Sequence, residues 1–467
     1  MSRSSSRAPR PNITTATGVE ISYRQLLIIM AGIMLGLLLS ALDQTVVGPA
    51  MFKIVKDLKG LEQYAWVTTG YLLTSTITVP LAGKLGDLHG RKWYFVAGMV
   101  VFMLGSALSG LANGTAPFLL FGASVSGLTV GMAQLIAFRA LQGIGGGLLS
   151  ANAFTIVGDL VPPAERGRWQ GLFGAVFGLA SVIGPTIGGY ITDNIGWQWV
   201  FYVNIPVGLV ALAVVVFWFP HLAPIPRERA EIDWWGALTL AGATVPLLLA
   251  LSLGGTAGFA WGSPKTLGLF AISALLVVAF IVVETRAAEP LIAPWLFKNR
   301  TFSLSIVTVL LGGFGMFGAL INIPIFIQGV QGDSATSSGN ALTPMMLTMI
   351  VVSIVSGLIV SRTGRYRVLA VVGQAVLAIG MFLLSTIGVD TPRWQMIVYM
   401  MLMGVGLGVA MPLYTLIVQN AFPVRELGVV TSATTFFRSI GGTIGIAILG
   451  TVVNNRFAGE YAANLPP

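Results

Sequence analysis

Residues 83–92 read Gly83-Lys84-Leu85-Gly86-Asp87-Leu88-His89-Gly90-Arg91-Lys92, a charged stretch set between two apolar runs, 64–83 and 93–112. Each run has about 20 residues, the length an α-helix needs to cross the ~30 Å hydrocarbon core of a bilayer. The stretch is therefore read as a polar turn joining two membrane helices. Glycine permits such a turn, and an acid flanked by bases at a helix end can form a charge network that holds one conformation of two moving parts. A basic turn that only sets topology is the plainer reading.

The same alternation extends along the chain. Of its 467 residues 55% are apolar and only 9% charged, with a mean hydropathy of +0.85, whereas a globular domain carries about a quarter charged residues. A soluble protein is excluded. The 58 glycines and 23 prolines fall inside apolar runs, as in membrane helices, so disorder and collagen are excluded too. Unbroken apolar runs, without alternating polarity, also rule out a membrane β-barrel. Thirteen spans are expected, over 26–50, 64–83, 93–112, 131–160, 168–191, 198–219, 234–254, 266–285, 302–327, 337–360, 368–388, 395–418 and 428–453. The chain is thus an all-α polytopic membrane protein.

The net charge of +9 comes from small basic clusters between spans, which mark topology and not a nucleic-acid surface. With residues 1–25 as a disordered cytoplasmic tail, 18 basic residues fall on the cytoplasmic side, among them Arg3, Lys84, Arg166, Arg227, Arg286, Arg362 and Arg425. Six (Lys53, Lys56, Lys59, Lys265, Arg393, Arg456) fall outside, while Arg139 and Arg438 lie within spans. Counting residues 113–130 as a further crossing would reverse that bias, so they are expected to form an apolar outer insert. No cleavable signal peptide is evident. Cysteine is absent, which removes disulfide and thiolate chemistry.

Two further patterns carry chemistry. Arg139-Ala140-Leu141-Gln142-Gly143-Ile144-Gly145-Gly146-Gly147 places a guanidinium inside a span, costly unless it meets a partner or a wet cavity. Its glycines do not form a phosphate cradle, because no Lys-Ser or Lys-Thr follows. Gly178-Leu179-Ala180-Ser181-Val182-Ile183-Gly184-Pro185-Thr186-Ile187-Gly188-Gly189 is a kinkable, close-packing helix; simple helix packing explains it equally well.

These three patterns, in this order, resemble motifs A, B and C of the major facilitator superfamily, the last associated with antiporters. Leu42-Asp43-Gln44-Thr45-Val46-Val47 is similar to the helix-one signature of the drug:proton antiporter-2 family, whose members have fourteen helices. Residues 197–208 (WQWVFYVNIPVG), 333–339, 362–367 and 437–442 resemble further stretches of it. The chain departs from the family pattern at Gly48-Pro49, at Gln198, in residues 113–130, and in having twelve residues after Asn455 where a fourteenth helix is expected. The resemblance implies a major facilitator fold: a six-helix half over 26–220, an inserted helix pair with linkers over 221–300, and a second half over 301–467 that lacks its final helix and leaves the C-terminus outside.

Proton coupling needs an interior group whose charge can change. Asp43 alone among the 17 acids lies well inside an apolar span. It stands 17 residues beyond Leu26, about 26 Å along a helix, a depth comparable with Arg139. The two are expected to pair, directly or through water, with burial and the guanidinium pulling the carboxyl toward opposite protonation states. A static pair that merely joins two helices is the alternative. Gly83, Asp87, Gly90, Arg91, Asp159, Arg166 and Arg168 are expected at a cytoplasmic gate, and Gly178, Gly184, Pro185, Gly188 and Gly189 form the antiporter motif. Arg438 is either a gating residue or a base reaching the inner surface.

A substrate cavity in this fold would lie between the halves near the midplane. Candidate lining residues are Trp66, Tyr71, Asn152, Phe177, Asn322, Gln328, Met345, Tyr414 and Gln419. The expected activity is proton-coupled export of amphipathic or apolar compounds by alternating access at the plasma membrane, not an enzyme reaction. A dedicated exporter of a metabolite, lipid or siderophore is the alternative, ahead of a channel or membrane enzyme, for which no polar filter or reactive cluster is present. Expected partners are the small substrate, protons and the lipid bilayer, without nucleic acid, cofactor or metal, and the chain is expected to act as a monomer.

Overall fold

The computed structural model describes residues 13–14, 19–59, 64–112, 130–220, 232–255, 259–329, 335–388 and 391–464. Its helices are α1 (Tyr23–Leu58), α2 (Tyr64–His89), α3 (Arg91–Gly110), α4 (Val130–Leu160) and α5 (Pro163–Asn194). They continue with α6 (Trp199–Tyr202), α7 (Asn204–Trp218), α8 (Trp234–Leu253), α9 (Pro264–Glu284), α10 (Arg300–Gly329), α11 (Ala335–Thr363), α12 (Arg367–Leu384), α13 (Arg393–Ala421) and α14 (Leu427–Asn464). Before α1, β1 (Ile13–Thr14) and β2 (Glu20–Ile21) pair antiparallel. Among the described residues, with α6 and α7 taken as one crossing, twelve helices are long and apolar enough to span a bilayer. The more polar α2, rich in Thr and Ser, completes the thirteen expected crossings.

Large apolar side chains such as Leu275 and Val278 on α9 and Val368, Val371 and Phe382 on α12 face outward. Exposed apolar surface on a helix suits lipid, where every backbone polar group must be satisfied internally.

The helices run further into polar sequence than the apolar runs do. Residues 83–92 are not an open turn: α2 continues to His89, Gly90 alone breaks the helix at φ 91°, and α3 starts at Arg91. Helical hydrogen bonding satisfies the backbone beyond the hydrocarbon edge, and only Gly90 needs a left-handed φ. Lys53 and Lys56 likewise ride on the last turns of α1. The insert expected over 113–130 lies, up to residue 129, outside the described residues.

Helices α1 to α7 pack as one group, through α1 on α5 and α7 and through α4 on α2 and α3. Helices α10 to α14 form a second, through α14 on α10 and α13 on α11 and α12. The seam between them is made by α5 against α11 and α13, and by α2 and α4 against α14. Helices α8 and α9 pack on each other, and α8 touches α2 and α14 at the margin of that seam. The α5–α11 crossing is a backbone contact: a Cβ added at Gly171 would lie 3.3 Å from the Cα of Gly357.

Candidate functional site

Asp43 is 1% exposed, within α1. Arg139 Nη1 donates to its Oδ2 at 2.5 Å, Gln142 Nε2 donates to Oδ1 at 2.9 Å, and Asn204 Nδ2 donates to the same oxygen at 3.1 Å. Arg139 Nη1 also reaches Gln142 Oε1 at 2.7 Å. The spacing of Arg139 and Gln142, three residues apart on α4, puts both on one face. The guanidinium carbon lies 4.5 Å from the Tyr71 ring centre, and the Tyr71 hydroxyl is 3.1 Å from Ser40 Oγ. Asn204 Nδ2 also donates to Ser106 Oγ at 3.1 Å, which donates to the Phe201 carbonyl at 2.8 Å.

The ion pair is direct, and burial on this scale is tolerable only because the remaining lone pairs are met. Among the described residues bonded to Asp43, two buried polar atoms are left without a partner, Arg139 Nε and Asn204 Oδ1. Among the described residues every donor to Asp43 comes from α4 or α7, so the carboxylate faces the inside of the first helix group. The glycines after Arg139 make the approach possible: a Cβ at Gly146 would lie 2.5 Å from the Tyr71 hydroxyl, and one at Gly143 would strike the Tyr71 carbonyl.

The antiporter-type stretch abuts this site. Thr45 Oγ1 donates to the Ala180 carbonyl of α5 at 3.0 Å, while Gly184 and Gly188 leave room for Thr45 and Val46. Gly178 serves the other side of α5, against Ile350 of α11. Pro185 is exposed, and Gly189 has open space around its α-carbon.

At one end of the bundle, Asp87 accepts N–H bonds from Gly428 (3.1 Å) and Val429 (3.3 Å) in the first turn of α14. This is where a helix terminus carries free donors and a positive dipole end. Gly83 lets α2 come against Ser432 and Gly428. Arg91 bonds Asp87 and reaches Asp159 Oδ2 at 2.6 Å, so Asp87, Arg91 and Asp159 are brought together. Arg166 caps α4 instead, donating to the carbonyls of Gly158 (2.7 Å) and Val161 (3.2 Å), and reaches Asn420 Oδ1 across the seam at 3.2 Å. Arg168 turns away to the Tyr23 hydroxyl at 3.4 Å and the face of Trp169.

The expected lining residues meet different neighbours among the described residues. Tyr71 belongs to the Asp43 site. Gln419, fully buried, crosses the seam: its Nε2 donates to the Phe154 carbonyl (2.9 Å) and Thr431 Oγ1 (3.1 Å), and its Oε1 accepts from Gln170 (3.0 Å). Asn152 and Asn322 donate to the carbonyls of Leu148 and Gly318, one turn back on their own helices. Met345 is buried in a methionine-rich cluster with Met346, Met349, Met400 and Met403, and Tyr414 packs with Leu413 and Ile417. Trp66 is half-buried, and the Gln328 side chain lies outside the described residues. Phe177 stacks on Phe154 at 6.3 Å and 8°.

Arg438 turns toward α4 and α13. Its guanidinium carbon lies 5.6 Å from the Phe154 ring centre, and Nη1 is 3.5 Å from Met411 Sδ.

Sequence reasoning missed Gln142, Asn204 and Ser106 around Asp43, and Gln170, Asn420 and Thr431 at the seam. A polar amide inside an apolar run, as at Asn204, was the available signal.

A family model described as Major Facilitator Superfamily matches residues 33–446. The chain is 45% identical over 449 residues to the multidrug transporter protein MdtP of Bacillus subtilis (strain 168), covering 96% of this chain and 78% of that one. It is 41% identical over 432 residues to multidrug resistance protein 3 of the same organism, covering 92% and 80%. Among solved structures, the proton:xylose symporter XylE superposes with a TM-score of 0.65 at 15% identity, over 93% of this chain and 90% of that one. At that identity the likeness concerns the fold.

Proposed function

The chain belongs to the major facilitator superfamily, and from that premise we propose that it is a proton-coupled exporter of amphipathic or apolar compounds, of the drug:proton antiporter-2 type. The superfamily and the named relatives are transporters, not enzymes. The observation that carries the coupling is the Asp43–Arg139 pair, a titratable acid and a fixed cation buried together within membrane helices.

With its charge on, Asp43 holds three donors from α4 and α7 and is an acceptor only. A proton taken up from outside cancels the attraction to Arg139 and turns one oxygen into a donor that these partners, as arranged, do not accept. With the charge attraction gone, α1 is released to shift against α4. Movement of α1 passes to α5 through Thr45 and the glycines facing it, and α5 slides on α11 at their backbone contact. Release of the proton to the cytoplasm restores the pair. With the basic clusters cytoplasmic, the Asp87–Arg91–Asp159 network and the Gln170–Gln419 bond close the inner side, so this conformation is the outward-facing one. The position of α8 and α9 beside the seam supports the fourteen-helix branch, in which a helix pair separates the halves.

Proton-gradient-driven efflux from proteoliposomes tests the reading. Asp43→Asn is expected to bind substrate and to lose gradient-driven efflux; undiminished driven efflux in that variant would refute the coupling role. A panel spanning dyes, antiseptics and lipids separates multidrug export from export of one metabolite.

A further inference from the structure

Among the described residues of the seam, Arg438 carries a charge that the coupling and gating networks leave unmatched. Among the described residues its guanidinium makes no ion pair: its partners are the Phe154 ring and the Met411 sulfur. The buried acids among the described residues are engaged elsewhere, Asp43 by Arg139, Asp87 and Asp159 by Arg91, and Glu284 by the N–H groups of Leu291 and Ile292. Arg438 is half-buried.

Its position is fixed by the closed end of the seam. On α14 it stands seven residues past Thr431, about 10 Å along the helix, and on α13 Met411 stands eight residues before Gln419, about 12 Å. Gln419 Nε2 donates both to Thr431 Oγ1 and to the Phe154 carbonyl. Side chains lean toward the N-terminus of their helix, so the Phe154 ring rises away from that closure. The guanidinium, from the second helix group, therefore lies over an aromatic ring of the first, just above the closed floor, beside the Phe154–Phe177 stack.

A guanidinium among membrane helices is costly without an anion, and its planar fork matches a carboxylate or sulfonate. Resting on the proposed export function, and naming its substrate class, we propose that Arg438 is an anion-binding group on the transport path. The substrate is an amphipathic organic anion whose head meets Arg438 and whose flat apolar body lies against Phe154, Phe177 and Met411. The transported molecule supplies the missing counter-charge. A cationic compound meets repulsion here and finds no unengaged carboxylate near it.

The test uses two fluorescent probes that differ in one group, anilinonaphthalene sulfonate and its uncharged parent anilinonaphthalene, with ethidium as the cation. Gradient-driven export of each is measured in proteoliposomes, and the rate ratio of sulfonate to parent is compared across variants, so that a general loss of folded protein cancels. The wild-type ratio is expected to favour the sulfonate. Arg438→Gln is expected to lower it by about tenfold or more, the effect of one charge-assisted hydrogen bond, and Arg438→Lys to keep most of it. Benzenesulfonate should compete with the sulfonate probe in wild type, and benzyltrimethylammonium should not; this arm needs no variant to fold. Equal export of sulfonate and parent by wild type, or an unchanged ratio in Arg438→Gln, overturns the assignment while leaving export intact. Driven export of ethidium but not of the sulfonate overturns the substrate class alone. No driven export of any probe would count against the export function itself, and the assignment would fall with it.

Discussion

Asp43 is held by Arg139, Gln142 and Asn204, and each partner has a separable effect. Arg139→Ala leaves a buried carboxylate uncompensated, which costs about 3–5 kcal/mol; a clear fall in the melting temperature of the detergent-solubilised protein is expected, and an unchanged one would mean that the pair is solvated. Asn204→Leu removes one donor to a charged group, about 1.5–3 kcal/mol, and should slow driven transport while Asp43 and Arg139 still pair. The pair itself was legible in the sequence, because one acid and one arginine at similar depth in apolar helices leave few other solutions. Gln142 and Asn204 were not, since an amide in an apolar run does not reveal which neighbouring helix it faces. Arg438 shows the same limit: its depth could be counted, but the Phe154 ring it covers belongs to a helix far away in sequence.

At the scale of elements, the spans were readable from hydropathy, and their ends were not. The apolar runs stop where charge begins, but helical hydrogen bonding continues, so α2 carries Lys84 and Asp87 on its final turns up to Gly90. Asp87 is thus tied to the first turn of α14 by a helix and not by a loose turn. Asp87→Ala is expected to free the α14 terminus and to shift the protein toward the conformation open at that end; labelling of an engineered cysteine at Ser432 by a cytoplasmic thiol reagent would rise several-fold. The α5–α11 contact depends on backbone approach, so Gly171→Leu should abolish transport by forcing the two helices apart, whereas Gly189→Ala, with open space around it, should leave transport near wild type. Equal effects of the two substitutions would contradict the packing account.

Across the whole molecule, the hydrogen bonds of Asp87 to α14, Arg166 to Asn420 and Gln170 to Gln419 join the two helix groups at one end, while the α5–α11 packing runs on to Gly178 against Ile350. Because the chain contains no cysteine, Gln170→Cys with Gln419→Cys can be cross-linked without background. The bond is expected to lock that end and stop transport until a reductant is added. The fold class was legible from composition and three spaced motifs, since a polytopic helical chain has little freedom in how it meets a bilayer. Which neighbours Tyr71 and Gln419 meet was not legible, because hydropathy does not reveal that Tyr71 packs under Arg139 or that Gln419 crosses the seam. The claim on which the rest depends is that charge on Asp43 is linked to substrate movement. The most direct test is the pH inside sealed proteoliposomes after a pulse of exported substrate, compared between wild type and Asp43→Asn. A substrate-evoked pH change in wild type that is absent in Asp43→Asn, with substrate binding retained, is the predicted result; an equal pH change in both would contradict the account.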